Sequence, residues 1–135
     1  MFEKLKELLN NSHSPYYYFR VSSILVCSDG KEFNGVNVEA SSQGAGTCAE
    51  RVALFSAIAA GYKKGDFKEL HVMLDSDKLS APCFICRQSL SDFFESDMPI
   101  YLYTSTKKTK KLLLKDLIPY PFTDEDMKWK VDSLV

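Results

Sequence analysis

The chain has 135 residues, of which 45% are hydrophobic, and a formal net charge of −1. That length and apolar content suit one compact domain with its own core, residues 1–135, and exclude a disordered chain. The balanced charge gives no electrostatic reason to bind nucleic acid or an anionic membrane.

The N-terminal run MFEKLKELLNN is amphipathic and lacks the basic start, apolar stretch and cleavage site of a secretory signal. No stretch approaches the roughly 18 apolar residues that a membrane span needs. A cytoplasmic protein is expected, with its four cysteines serving as thiols or metal ligands rather than disulfides.

Phe2, Leu5, Leu8 and Leu9 recur at helical spacing and predict a first helix over residues 2–10. An aromatic loop, SPYYYF, follows. RVSSILVC and KEFNGVNVE read as two strands of a hairpin turned at Ser28-Asp29-Gly30. The small, glycine-rich ASSQGAGT is a loop that delivers the chain to a helix beginning at Cys48. That helix carries Val52, Leu54, Phe55, Ile58 and Ala59 and stops near Gly61. Apolar residues on most of its sides predict a buried central helix.

KELHVMLD is a third strand, and PCFICRQSLSDFF has the spacing of a second major helix with proline at its start. MPIYLYTS and KKLLLKDLIP supply a fourth strand and a fifth that runs into a short turn. The order predicts an α/β domain with one mixed sheet covered by helices. The lysine run from Lys107 to Lys111 is expected to be a solvated turn and strand edge. His13 and His71 show no metal-ligand spacing, and His71 reads as a histidine packed within a strand.

Chemistry concentrates in two places. TCAER puts Cys48, Glu50 and Arg51 in the first turn of one helix, and Cys83-x-x-Cys86 opens the other. The 34 residues between Cys48 and Cys83 are enough for helix, loop and strand, so both helix starts can meet at one end of the sheet. Helix N-termini carry partial positive charge and lower thiol pKa values. Three thiolates meeting there would hold Zn²⁺ and leave a fourth position for water, whose proton Glu50 could move. Cys27 could close the site as a fourth ligand, but it ends a strand and has no second C-x-x-C partner. Alone, C-x-x-C would equally fit a redox pair. C-A-E followed at this distance by P-C-x-x-C is far more specific, being the three-cysteine variant of the zinc nucleobase deaminase signature.

At these residues the chain resembles the small, usually homotetrameric cytidine deaminases, over nearly its whole length. The family's PYSxFxVGAAL is PYYYFRVSSIL here, NIEN is NVEA, TCAER matches outright, and the late LLPxxF is LIPYPF. The resemblance implies a three-layer α/β/α sandwich with a mixed five-stranded sheet. It also implies one Zn²⁺ per chain on Cys48, Cys83 and Cys86, with Glu50 as the proton shuttle. Phe19 would then pack against the pyrimidine, Asn37 and Glu39 would bind the ribose 3′-hydroxyl, and Ala49 would also be a substrate-binding residue. Arg51, assisted by Gln88, would draw charge from the ligand sulfurs, and Phe122 would reach a neighbouring subunit's pocket. Such an enzyme hydrolyses cytidine and deoxycytidine to uridine and deoxyuridine in pyrimidine salvage.

Three positions depart from the pattern: Ser22 and Phe84 replace glycines, and Gln43 replaces an aromatic. Phe84 and Gln43 keep open a modified nucleoside or another aminopyrimidine, such as blasticidin S, as the substrate. Ser22 and Gln43 stand where the family's subunit contacts are usually made, and keep open a dimer in place of the tetramer. Two rival readings fit less well. Editing of polynucleotide cytosine lacks the basic, aromatic groove that strand binding needs. A non-catalytic zinc module would have no use for Glu50.

Overall fold

A computed structural model describes residues 1–127; residues 128–135, the end of the expected domain, lie outside the described residues. The first helix, α1 (Phe2–Leu8), tightens into a short 3₁₀ turn over Leu9–Asn11, as its spacing predicts. The hairpin of β1 (Val21–Cys27) and β2 (Glu32–Val36) turns at Gly30, whose φ of +90° is the left-handed conformation glycine adopts freely. The chain continues through α2 (Ala49–Ala59), β3 (Phe67–Leu74), α3 (Phe84–Phe93), β4 (Pro99–Thr104), β5 (Thr109–Leu113) and the single turn α4 (Leu114–Leu117).

The strands form one sheet in the order β2-β1-β3-β4-β5. Only β3 and β4 run parallel, and α3 makes the crossover between them. Alternation along the strands divides the core in two. On one face Ile24, Val26 and Met73 pack against Leu5 and Leu9. On the other, Leu25, Leu70, Val72 and Ile100 pack against Ala53, Leu54 and Ala57 of α2 and Leu90 of α3. The result is the expected three-layer α/β/α arrangement around a mixed five-stranded sheet.

α2 is less enclosed than its composition predicts. It buries Ala49, Glu50, Ala53, Leu54 and Ala57, but Phe55 on the opposite side is 47% exposed, because one chain has layers enough to cover only one side. The covered side approaches β2 very closely. A Cβ on Gly35 would stand 2.1 Å from the Ala49 carbonyl oxygen and 2.7 Å from the Ala53 amide nitrogen.

The remaining sequence features settle into structural roles. Ser22 is fully buried and donates to the Leu5 carbonyl at 2.8 Å, so this departure from glycine ties α1 to the sheet. His71 is buried, stacked on Tyr101 and hydrogen-bonded to the Tyr103 hydroxyl at 2.9 Å, and burial lowers its pKa. Lys107 and Lys108 lie in the turn before β5, and Lys110 and Lys111 on that edge strand. All four cysteines are free.

Gly35→Ala forces α2 away from β2, because the added carbon meets backbone rather than a yielding side chain. Overpacking of this kind costs about 2 kcal/mol or more. Thermal denaturation should show a clearly lowered midpoint, and an unchanged one would mean that α2 is not held by this contact.

Candidate active site

Cys48 and Cys83 are the N-cap residues of α2 and α3, each in extended backbone just before its helix. Glycine-rich loop and Pro82 respectively end the preceding segments, so each helix begins where its cysteine stands. Cys86 follows one turn later, and its amide donates to the Cys83 sulfur at 3.5 Å. The three sulfurs lie within 4.8 Å of one another, and those of Cys48 and Cys83 are 3.7 Å apart. Tetrahedral zinc with Zn–S bonds of about 2.3 Å holds its sulfurs about 3.8 Å apart. The donor set therefore fits Zn²⁺ and leaves one of four positions without a protein ligand. Cys27 is fully buried and stands outside this group of sulfurs, which removes it as a fourth ligand; burial pushes its thiol up to about 11.

The electrostatics suit a thiolate cluster. Hydrogen bonds with Cys86, Arg51 and Cys83 outweigh burial and hold the Cys48 thiol down to about 5. The contact with Cys48, then burial and the charges of Glu50 and Cys48, raise the pKa of Cys86. Arg51 donates through Nη2 to the Cys48 sulfur at 3.9 Å, while its Nε is buried with no partner among the described residues. Glu50 is only 4% exposed, and its Oε2 accepts from the Cys86 thiol at 3.7 Å. Burial first, and then the charge of Cys48, push its carboxyl up to about 7. A carboxyl with that pKa, beside three thiols, is suited to take up and release a proton near neutrality.

A cleft of about 490 Å³ opens onto this cluster, and Phe19, Asn37, Glu39, Ala49, Glu50 and Arg51 all line it. The two polar residues after β2 are largely committed to the aromatic loop. Asn37 accepts from Ser12 and from the Val21 amide at 2.9 Å, and donates to the Phe19 carbonyl at 2.7 Å. Glu39 accepts from Ser14 and from the amides of Tyr16 and Tyr17 at 2.9 and 3.1 Å. Burial opposes its charge, but these bonds prevail and hold the carboxyl below its ordinary value.

Gln88 is not on the sulfurs: its amide donates to the Phe122 carbonyl at 3.0 Å, because two residues, about half a turn of α3, rotate it away from Cys86 toward the C-terminal segment. Phe122, expected at a neighbouring subunit's pocket, is 57% exposed and does not line this chain's own cleft. Phe84, the bulky residue next to Cys83, also lies outside the cleft, 78% exposed beneath the Arg87 guanidinium at 4.4 Å. Sequence reasoning missed Tyr17, which lines the cleft and accepts a hydrogen bond from the Gln43 amide. Three consecutive tyrosines carry no periodicity that could have singled it out.

A family model of the cytidine and deoxycytidylate deaminase zinc-binding region matches residues 1–102. The cytidine deaminase of Sporosarcina psychrophila is 32% identical over 128 residues, covering 95% of this chain and 93% of its own. A probable cytidine deaminase of Dictyostelium discoideum is 38% identical, over 97% of this chain and 90% of its own. The crystal structure of cytidine deaminase from Burkholderia pseudomallei resembles this fold with a TM-score of 0.85 and 37% identity, covering 90% of this chain and 95% of that one. The match to the zinc-binding region runs from α1 into β4, and so takes in both helix starts and the strand between them. Likeness of this extent, in sequence and in backbone, places the chain in the cytidine and deoxycytidylate deaminase family.

Proposed function

We propose that the protein hydrolyses free cytidine and deoxycytidine to uridine and deoxyuridine, with release of ammonia. The observation that carries this reading is the buried Glu50 carboxyl set against Cys48, Cys83 and Cys86 at the floor of an open cleft. Cys48, Cys83 and Cys86 would hold one Zn²⁺, which supplies hydroxide at neutral pH by lowering the pKa of water to about 7. Glu50 takes the proton that this water loses. It would pass that proton to N3 of the pyrimidine as hydroxide adds at C4. It would then take the remaining proton from the new C4 hydroxyl and give it to the amine, so that the C4–N bond breaks, ammonia leaves and the C4 carbonyl forms. Arg51 donates to the Cys48 sulfur and draws off thiolate charge, so that the sulfurs would donate less to the ion they hold and leave it a stronger Lewis acid. Phe19 and Ala49 flank the base.

The sugar end has a simple hydrogen-bond account. Both acceptor positions of the Asn37 oxygen are taken and one of its two amide hydrogens is used, while Glu39 has accepted three bonds of about four. One donor and one acceptor remain, which is what a ribose hydroxyl requires. Among the described residues no lysine or histidine lines the cleft, and its arginine is engaged with sulfur, so a free nucleoside suits it better than a polynucleotide.

We read the assembly as a homotetramer in which Phe122 of one subunit covers the pocket of the next. Its supports are the exposure of Phe122 away from its own cleft and the uncovered Phe55 side of α2. Pyrimidine salvage in the cytoplasm is the setting this activity fits, and no helix among the described residues is long and apolar enough to cross a membrane.

Three experiments test the reading. Glu50→Gln should retain one zinc per chain, as should Cys27→Ser, yet lose at least ~10²-fold in kcat, because an amide cannot carry the proton. Atomic absorption and loss of cytosine absorbance measure the two effects, and an active Glu50→Gln variant would rule out the mechanism. Glu39→Ala should slow cytidine turnover at least ~10-fold by leaving the sugar hydroxyl unpaired; an unchanged rate would move the sugar site elsewhere. Light scattering should give a mass of four chains, and Phe122→Ala should raise KM without altering zinc content. An active monomer would exclude the shared pocket.

A further inference from the structure

The three sulfurs of the cluster belong to unequally protected residues: Cys86 is buried, Cys48 intermediate and Cys83 exposed. Cys83 also stands at a seam in the backbone. Residues 75–83 lie in neither helix nor strand, and α3 starts at Phe84. A ligand at such a seam keeps its direction only if the peptides on both sides of it are held.

One residue holds both. The Arg87 amide donates to the Cys83 carbonyl at 2.9 Å, and its side-chain Nε donates to the Pro82 carbonyl at 2.8 Å. Proline has no N–H, so that carbonyl is the only backbone hydrogen-bonding group at position 82. The peptide planes before and after Cys83 are therefore each bonded to Arg87.

The guanidinium is braced in turn. Its Nη1 donates to the Leu117 carbonyl at 3.1 Å, and the Phe84 ring covers it, with Cζ 4.4 Å from the ring centroid. Leu117 ends α4, which buried Leu114 and Leu117 seat in the core. The Leu114 and Lys115 amides fix the same turn to the Met98 and Ser96 carbonyls at 3.0 and 2.8 Å. A planar fork with donors at fixed angles can span two carbonyls in this way, whereas an ammonium is a point donor on a flexible stem. Arg87 thus carries the rigidity of α4 to the loop in front of Cys83.

We propose that Arg87 is the positioning residue of the metal site: by joining the Pro82 and Leu117 carbonyls it aims the exposed Cys83 sulfur at those of Cys48 and Cys86. This rests on the reading above, in which these three cysteines hold zinc. The role differs from that of Arg51, which donates to sulfur directly. Arg87 acts through the backbone, and its effect is to keep Cys83 from letting go of the ion.

The test compares zinc-loaded wild-type protein with Arg87→Met, which keeps an apolar stem without donors, and with Arg87→Lys. Release of zinc to excess chromogenic chelator should quicken about tenfold or more in Arg87→Met, the scale of loss when a group that orients a metal ligand is removed. Arg87→Lys should restore part of that loss. Labelling of the zinc-loaded proteins with iodoacetamide, mapped by mass spectrometry, should rise at Cys83 alone. In cobalt-substituted protein, the sulfur-to-cobalt charge-transfer absorption should change in Arg87→Met and return toward wild type in Arg87→Lys. Release at the wild-type rate from Arg87→Met would overturn the proposal. So would labelling raised equally at all three cysteines, which marks a general loosening. If Arg87→Met does not fold, Arg87→Lys decides, and release from it at the wild-type rate overturns the proposal. None of these readouts involves a nucleoside. Failure of the wild-type protein to deaminate cytidine would defeat the proposed reaction and leave this test standing, whereas a wild-type protein that binds no zinc would defeat the metal reading and the role of Arg87 together.

Discussion

The contact on which the active cleft depends is that of one backbone with another, where the first two turns of α2 rest on Gly35. Helices normally stand off a sheet by the thickness of side chains. Here the Ala49 carbonyl and the Ala53 amide occupy the space where a Cβ would be, so α2 is lowered onto β2. Alanines at 49, 53 and 57 complete a smooth seat. The helix start is thereby fixed in depth, and with it Cys48 as the N-cap and Glu50 beneath the surface. A longer approach distance would lift Glu50 toward solvent and undo the burial that raises its pKa.

The second constraint is electrostatic. Three sulfurs within 4.8 Å would repel one another if all were charged and no cation were near. The fold tempers this repulsion with two helix N-termini and with Arg51, whose guanidinium reaches the Cys48 sulfur from within the same helix. Because cysteine and arginine are three positions apart on α2, the geometry between them is set by helix pitch rather than by a mobile loop.

Much of this was legible in the sequence because its signals are local. Asp29-Gly30 announces a hairpin, and Pro82 followed by cysteine announces a helix start. The shared chemistry of C-A-E and P-C-x-x-C brings those two starts together. What the sequence left obscure are matters of side-chain direction. Gln88 follows Cys86 closely enough to suggest a role at sulfur, yet helical rotation turns its amide to the Phe122 carbonyl. Asn37 and Glu39 read as a pair facing a ligand, whereas most of their bonding capacity organises the loop from Ser12 to Phe19. Burial of α2 was overestimated for a related reason: periodicity reports which sides are apolar, not which of them one chain can cover.

The lysines of β5 bear on how copies of this chain can meet. β5 is the outer strand beyond β4, and among the described residues no further strand pairs with its far edge. Lys110 and Lys111 are consecutive, so their side chains leave opposite faces of the sheet, and Lys111 also rests over the Tyr101 ring at 5.8 Å. Adding a strand from a second molecule would crowd like charges on both faces and strip water from them. Continuation of the sheet from one molecule into the next is therefore disfavoured at this end. Closed association through the helical layers is left as the favourable geometry, and open-ended fibrous growth through this edge is suppressed.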